Sequence, residues 1–179
     1  MQKDTLAVSS NIHFINQGID LLTKMTDKEY ALNNGSYFKS GVGKHFRHII
    51  DHYISLLKSD YISVNYDDRE RDERIELNRS YAIDVMNDLI SDLEDLQDYS
   101  VKLDVELNVM SNEGLGEGNT SWSKSSVRRE LQFLISHTVH HYALIAIILK
   151  TIGFALPDDF GVAPSTLKYE AERSANSTV

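Results

Sequence analysis

The position of the prolines constrains the fold of this 179-residue chain more than any other feature. There are only two, Pro157 and Pro164, and both lie near the C-terminus. Proline interrupts helices because it lacks an amide hydrogen and its ring clashes with the preceding turn. The rest of the chain can therefore form long helices wherever its apolar residues recur at helical spacing.

Four segments show that spacing, with apolar residues three and four positions apart. We predict helices at about Thr5–Thr26, Val42–Lys58, Arg79–Tyr99 and Ser123–Thr151. In the fourth segment the apolar seam continues over many turns, as it does in helix bundles. The sequence therefore predicts an all-α protein, a four-helix bundle.

The connections between these helices differ in character. The second, Ser59–Asn78, is long and highly charged and predicts a solvated crossover. In the third, Lys102–Met110 alternates between apolar and polar residues, which is typical of a strand. Gly114, Gly116 and Gly118 follow it, so we expect a small β-hairpin before the last helix.

The length of the chain favours one domain, which we place at residues 1–168. The moderately apolar segment from Phe154 to about Leu167 is expected to pack on the bundle. Residues 169–179 are polar, and we expect a disordered tail there.

Composition excludes several classes of site and partner. The chain has no cysteine, so a metal can be held only by His, Asp or Glu, and a thiol nucleophile is excluded. The net charge of −9 disfavours binding to nucleic acid or to anionic membranes. The N-terminus lacks the pattern of a signal peptide, so we expect a cytoplasmic protein.

Six of the seven histidines fall in two short stretches, around His45–His52 and His137–His141. Histidines four residues apart lie on one helical face and can bind one ion together. His137 and His141 have this spacing, and so do His48 and His52. The first pair lies on the apolar side of the fourth helix, whereas His140 points away from it. We therefore predict a metal site that includes His137 and His141.

The third ligand is less clear from periodicity. His45, His48 and His52 all lie at the border of the apolar face of the second helix, and periodicity mildly favours His45 or His52. The chain has no paired GluxxHis motifs, which argues against a ferritin-like di-iron centre. A core histidine that bonds to a backbone carbonyl is the simpler alternative for any one of these residues.

The run from Gly41 to Ile50, with its histidine about six residues after the apolar helix start, resembles the second helix of the DinB/YfiT-like metalloenzyme superfamily. The later pair, His137 and His141, is similar to the signature on that family's last helix. Aligned in this way, the third metal ligand is His48. The resemblance covers roughly Thr5 to Leu156 as a helix pattern, but its specific part is the three histidines, and His45 and His52 depart from the plainest pattern.

This resemblance implies a four-helix bundle, often dimeric, that binds zinc or nickel through His48, His137 and His141 together with water. Some members are thiol-dependent transferases or isomerases. We therefore expect a metal-dependent hydrolase or thiol S-transferase with a small-molecule substrate, which could be a low-molecular-weight thiol. Candidate acids beside the metal are Asp51 and Glu130.

Two other hypotheses stay open at this point. The chain could be a non-catalytic, metal-stabilised binding or stress-response bundle, or a purely structural bundle without metal. Within the charged crossover, Arg69, Arg71 or Tyr66 could fold over the site and meet an anionic substrate.

Overall fold

The structure is a computed structural model that describes residues 6–32, 39–98, 103–112, 114 and 121–176. Within these residues the chain is mostly helical, with a small three-stranded sheet. In chain order the elements are α1 (Leu6–Lys24), α2 (Asp27–Tyr30), α3 (Val42–Leu57), β1 (Ser63–Asn65), α4 (Glu73–Leu77), α5 (Arg79–Asp98), β2 (Glu106–Met110), β3 (Trp122–Ser126), α6 (Val127–Thr151) and α7 (Pro164–Asn176).

The four long helices pack on one another around a shared core. Helix α1 contacts α5 and α6, and α3 also contacts α5 and α6. Aromatic and aliphatic side chains of all four helices are fully buried between them, including Ile15, Phe46, Leu89 and Tyr142. Both histidine stretches lie on α3 and α6, so the interface between these two helices positions the candidate site.

Two glycines permit close contacts with α6. A Cβ atom at Gly18 of α1 would collide with the Tyr142 hydroxyl, which donates a hydrogen bond to the Phe14 carbonyl at 2.8 Å. Gly161 has a φ of +73°, and a Cβ there would lie 2.7 Å from the Ala143 amide nitrogen. The segment after α6 therefore lies tightly against that helix, and Phe160 stacks on Tyr142 with 4.7 Å between ring centroids.

The hairpin before α6 begins later and ends later than the sequence predicts. The alternating strand starts only at Glu106, since the Leu103 carbonyl accepts a hydrogen bond from the Arg128 amide at 2.7 Å instead of joining the sheet. Residues 123–126, which we assigned to the last helix, pair antiparallel with β2. Helix α6 therefore begins at Val127, and the Ser126 hydroxyl caps it by accepting from the Arg129 amide. The glycines expected at the turn, Gly116 and Gly118, lie outside the described residues.

The charged crossover between α3 and α5 contains more structure than its composition predicts. Strand β1 pairs parallel with β2, and α4 begins at an Asp72 cap. Val64, Tyr66 and Ile75 are buried, with 1–3% of their surface exposed. These apolar anchors fix the backbone on either side of the arginine-rich run, which places that run beside α3.

The C-terminal segment also differs from the expectation of disorder after residue 168. Helix α7 extends from Pro164 to Asn176, and none of its side chains is buried. The domain limit at residue 168 stays a prediction.

Among the described residues, α6 alone has the length and mean hydropathy, 1.3 over 18 residues, that are needed to cross a membrane. The same test is passed by core helices of soluble proteins, and α6 supplies buried residues to the interfaces with α1 and α3. The length and hydropathy of α6 therefore do not distinguish a span from a core helix.

Candidate metal centre

Helices α3 and α6 bring five histidines into one cluster. His45, His48 and His52 follow one another at intervals of three and four along α3, so they share a face. His137 and His141 do the same on α6. Because the two helices pack together, these faces meet. His140 is exposed, as its position on α6 predicts.

His137 lies at the centre of the cluster. Its Nε2 atom is 3.2 Å from Nε2 of His48 on the opposite helix and 3.2 Å from Nε2 of His141 one turn along α6. The ring of His48 also faces His141, with 4.7 Å between centroids. The structure thus brings together the three residues that the resemblance indicates as ligands.

His52 is close to the same point. His48, His52 and His137 each offer a ring nitrogen, and these nitrogens lie within 4.8 Å of one another, so the three could hold a metal ion. The Nδ1 of His52 donates to the His48 carbonyl at 2.7 Å, which leaves Nε2 as its free nitrogen. That Nε2 is contacted at 3.5 Å by Nη1 of Arg69. The two possible ligand sets therefore share His48 and His137 and differ in whether His52 or His141 is the third member.

His45 contacts Nδ1 of His141, the ring nitrogen that does not face His137. The two Nδ1 atoms are 2.9 Å apart. If Nδ1 of His141 donates to His45, then Nε2 of His141 carries no proton and presents its lone pair to the cluster. A second-sphere contact of this kind orients a ligand imidazole and fixes its tautomer.

The donor set fits a divalent transition metal. Imidazole nitrogens suit zinc, nickel and copper, and zinc ligands at 2.0–2.1 Å in tetrahedral geometry lie roughly 3.3 Å apart. The two 3.2 Å separations around His137 match that edge. Moreover, Nδ1 of His137 is buried and has no hydrogen-bond partner in the described structure. In either tautomer, then, this side chain is not fully satisfied by protein groups, as a structural core histidine would be.

The imidazoles are held neutral, which is the form that binds metal. Burial, assisted by the neighbouring histidines, lowers the pKa of His137 to about 2 and that of His141 to about 3. Burial, assisted by Arg69, lowers the pKa of His48 to about 4. The pKa of His52 falls to about 4 for the same two reasons, although its bond to the His48 carbonyl opposes them.

Aromatic side chains form one wall of the cluster. Phe133 stacks on His137 with 5.5 Å between centroids, and Tyr66 from the crossover stacks on His52 at 5.4 Å. The periodicity of α6 gave no indication that Phe133 contacts the site. Its position four residues before His137 is the signal that could have identified it.

Glu130, one of the two candidate acids, is hydrogen-bonded to side chains of the crossover and of β3. Its carboxylate accepts hydrogen bonds from the Tyr66 hydroxyl at 3.0 Å and from the Ser125 hydroxyl. Because both oxygens are engaged by neutral donors, Glu130 ties the crossover and β3 to α6. Through Tyr66 it also fixes the ring that covers His52.

Asp51, the other candidate acid, is buried, and its Oδ1 has no hydrogen-bond partner in the described structure. Burial raises the pKa of this carboxyl to about 6, although Arg47, Arg69 and Arg71 act in the opposite direction. A carboxyl with such a pKa can hold or release a proton near neutral pH. Asp51 could therefore take part in proton transfer, whereas the contacts of Glu130 indicate that it positions other residues.

Comparisons with known proteins leave the family open. No family model and no solved structure matches the chain. A curated relative, FK506-binding protein 5 of Rhizopus delemar, is 26% identical over 165 residues. That alignment covers 92% of this chain and 38% of the relative, so the chain spans well under half of the length of that protein.

Proposed function

We propose that this chain is a metal-dependent enzyme of the DinB/YfiT-like type, with one zinc or nickel ion held by His48, His137 and His141. The observation that carries the proposal is the position of the His137 Nε2 atom, 3.2 Å from Nε2 of His48 and 3.2 Å from Nε2 of His141. Neutral imidazoles that face one another at ligand spacing are unfavourable without a shared ion, because no arrangement of their protons satisfies every nitrogen.

We assign the third position to His141 rather than His52 on the basis of their other contacts. Nε2 of His52 lies 3.5 Å from Nη1 of the cationic Arg69. This positive charge disfavours a metal ion bound to the same nitrogen. His141 has the His45 contact that presents its Nε2 lone pair. His52 is then a neighbour of the metal rather than a ligand.

Three protein ligands leave a coordination position for water or substrate, which is the hallmark of catalytic rather than structural sites. When bound, the ion would supply Lewis acidity toward water and toward a substrate oxygen or sulfur. The chain's own residues would do the rest. Phe133 and Tyr66 exclude water from one side, and Asp51, with its raised pKa, can exchange a proton. This set is compatible with a hydrolase or with a transferase that activates a small thiol.

The helix packing agrees with this assignment. The contacts of α1 and α3 with both α5 and α6 are those expected of a four-helix bundle in which the site lies between the second and last long helices. The parallel strand β1 and helix α4 are additions within the long crossover.

Metal analysis of the purified protein tests the proposal. We expect about one zinc or nickel ion per chain in the native protein and in His13→Ala, whose exposed ring lies on α1 against Phe14. We expect none in the double variant His137→Ala/His141→Ala. A native protein that binds no metal after reconstitution would overturn the proposal, and metal bound without turnover of any thiol or ester substrate would favour the non-catalytic alternative.

A further inference from the structure

Arg69 approaches the histidine cluster from the crossover. Its Nη1 atom is 3.5 Å from Nε2 of His52 and donates to the Tyr66 carbonyl. The bond to the Tyr66 backbone holds the guanidinium in place, and the buried ring of Tyr66 is itself tied to Glu130. Arg69 is thus a fixed cation beside a proposed dication site, an arrangement that is unfavourable unless something negative lies between them.

The donors of Arg69 are largely unused. A guanidinium has five N–H groups in a planar fork. Its Nε is buried without a partner in the described structure, and no ion pair links it to a carboxylate of the described residues. Asp51 and Asp67 act on it only at longer range. An unpaired guanidinium of this kind is suited to an incoming oxyanion.

Cations act on the cluster although the protein carries a net charge of −9. Arg69, Arg47 and Arg71 each lower the pKa of His48, and the same three arginines lower the pKa of the buried Asp51 against the effect of its burial. Arg47 is already paired with Glu76 at 3.1 Å, and Arg71 is exposed. Of the three, Arg69 alone combines a position at the cluster with unpaired donors.

We infer that Arg69 and the open metal position together form a binding site for a small oxyanion, with one oxygen on the metal and another on the guanidinium. This inference rests on the proposed metal site and specifies its substrate class. The oxyanion would belong to a substrate carboxylate or to a phosphate group, because both have one oxygen for the metal and another that can accept a charge-assisted hydrogen bond from the guanidinium. Arg69 would recognise and position the substrate.

Anion binding to the cobalt-substituted protein tests this inference. The visible absorption of Co²⁺ reports both metal binding and changes in coordination, so no activity is needed. The cobalt protein is titrated with acetate, with inorganic phosphate and with acetamide, the neutral isostere of acetate. The variants are Arg69→Gln, Arg69→Lys and, as a matched control that removes the same charge two residues away, Arg71→Gln.

We expect acetate or phosphate to bind the native cobalt protein and acetamide to bind much more weakly; whichever anion is tighter identifies the source of the oxyanion. A charge-assisted hydrogen bond contributes about 1.5–3 kcal/mol, so Arg69→Gln should weaken anion binding by about 10- to 100-fold. Arg69→Lys should fall in between, and Arg71→Gln should change the affinity less than about twofold. Without an anion, Arg69→Gln should bind Co²⁺ more tightly than the native protein, which loss of a merely structural arginine would not cause.

Two results would overturn the inference, and they can be distinguished. If Co²⁺ binds but Arg69→Gln and Arg71→Gln change anion affinity equally, Arg69 has no specific role and only this inference fails. If the native protein binds no Co²⁺, the metal site fails and the anion site fails with it. Circular dichroism and thermal unfolding of each variant establish that it is folded.

Discussion

The interface between α3 and α6 contains two polar clusters that differ in how completely they are satisfied. In the first, the Tyr53 hydroxyl donates to Oδ1 of Asn11 at 2.7 Å and accepts from Thr138 at 3.4 Å. The Asn11 amide donates in turn to the carbonyls of Ala7 and Leu131. All three side chains are fully buried, and each donor meets an acceptor.

In the second cluster, five imidazoles face one another on the same two helices, within roughly two turns of Tyr53 and Thr138. No carboxylate accepts from His137, and its Nδ1 has no partner in the described structure. A closed network such as that of Asn11 fixes the core by itself, whereas an open one needs a group from outside the chain. These contacts are those of a structural network in the first cluster, whereas the second cluster could hold a metal ion.

Removing one proposed metal ligand should have the largest effect, and it tests whether the histidine cluster binds a metal ion. His141→Ala should weaken zinc binding by more than about 100-fold, because loss of a ligand exceeds the 10- to 100-fold cost of losing a supporting contact. His52→Ala is the matched control, and it should weaken binding by less than about tenfold. Competition titration with a chelator measures both. The reverse order of effects would place the ion at His48, His52 and His137 instead.

The closed cluster should respond to mutation in stability rather than in metal binding. Asn11→Ala leaves the buried Tyr53 hydroxyl without its acceptor, which should lower the free energy of unfolding by about 1–3 kcal/mol. Urea denaturation measures this loss. Asn16→Ala, an exposed asparagine on the same helix, should stay within about 0.5 kcal/mol of the native protein. A loss of zinc stoichiometry in folded Asn11→Ala would contradict the division of roles.

The contact between His45 and His141 offers a finer test. Because His45 orients a ligand without binding the ion, His45→Ala should weaken zinc binding by about tenfold, at the lower end of the range for supporting contacts. The stoichiometry should remain one ion per chain. An unchanged affinity would show that the tautomer of His141 is set in another way.

The open cluster should also make the metal-free protein sensitive to acid, which is the smallest of these effects. The pKa values of His48 and His52 are about 4 in the folded protein, below the ordinary value of 6.5. Above pH 6.5 these imidazoles are neutral whether the chain is folded or not, so their contribution is fully present. Between pH 6.5 and 4 the unfolded chain takes up protons that the folded chain does not, so stability falls.

Thermal unfolding of the metal-free protein should therefore show a melting temperature that decreases by several degrees from pH 7 to pH 4.5. In His48→Ala/His52→Ala the decrease should be smaller. An identical pH dependence in the two proteins would mean that other groups cause it.

The sequence predicts the helical body well because long amphipathic segments carry a strong periodic signal. Val42–Lys58 differs from α3 by one residue at its C-terminal end, and the predicted start at Arg79 is that of α5, whereas the predicted end at Tyr99 lies outside the described residues. The start of α6 was placed too early, since Ser123–Ser126 has no apolar period and only pairing with β2 identifies it as a strand. Strand β1 was missed although the uncharged run from Ile62 to Tyr66 alternates between apolar and polar residues, as a strand does. Helix α4 could not be predicted, because charged residues flank its one buried side chain, Ile75.

At the site, spacing alone indicates His137 and His141, since both lie on the apolar side of one helix. The choice among His45, His48 and His52 depends on how α3 is rotated against α6, which is a property of packing rather than of either helix alone. The position of Arg69 depends on the path of the crossover, which the buried Val64 and Tyr66 fix. The candidate acids, Asp51 and Glu130, could be distinguished only by their partners.

X-ray absorption spectroscopy of the zinc-loaded protein tests the central claim most directly. We expect three imidazole nitrogens at about 2.0–2.1 Å and at least one non-histidine ligand, which is the signature of an open three-histidine site. A first shell without histidine, or a closed shell of four histidines, would contradict the account.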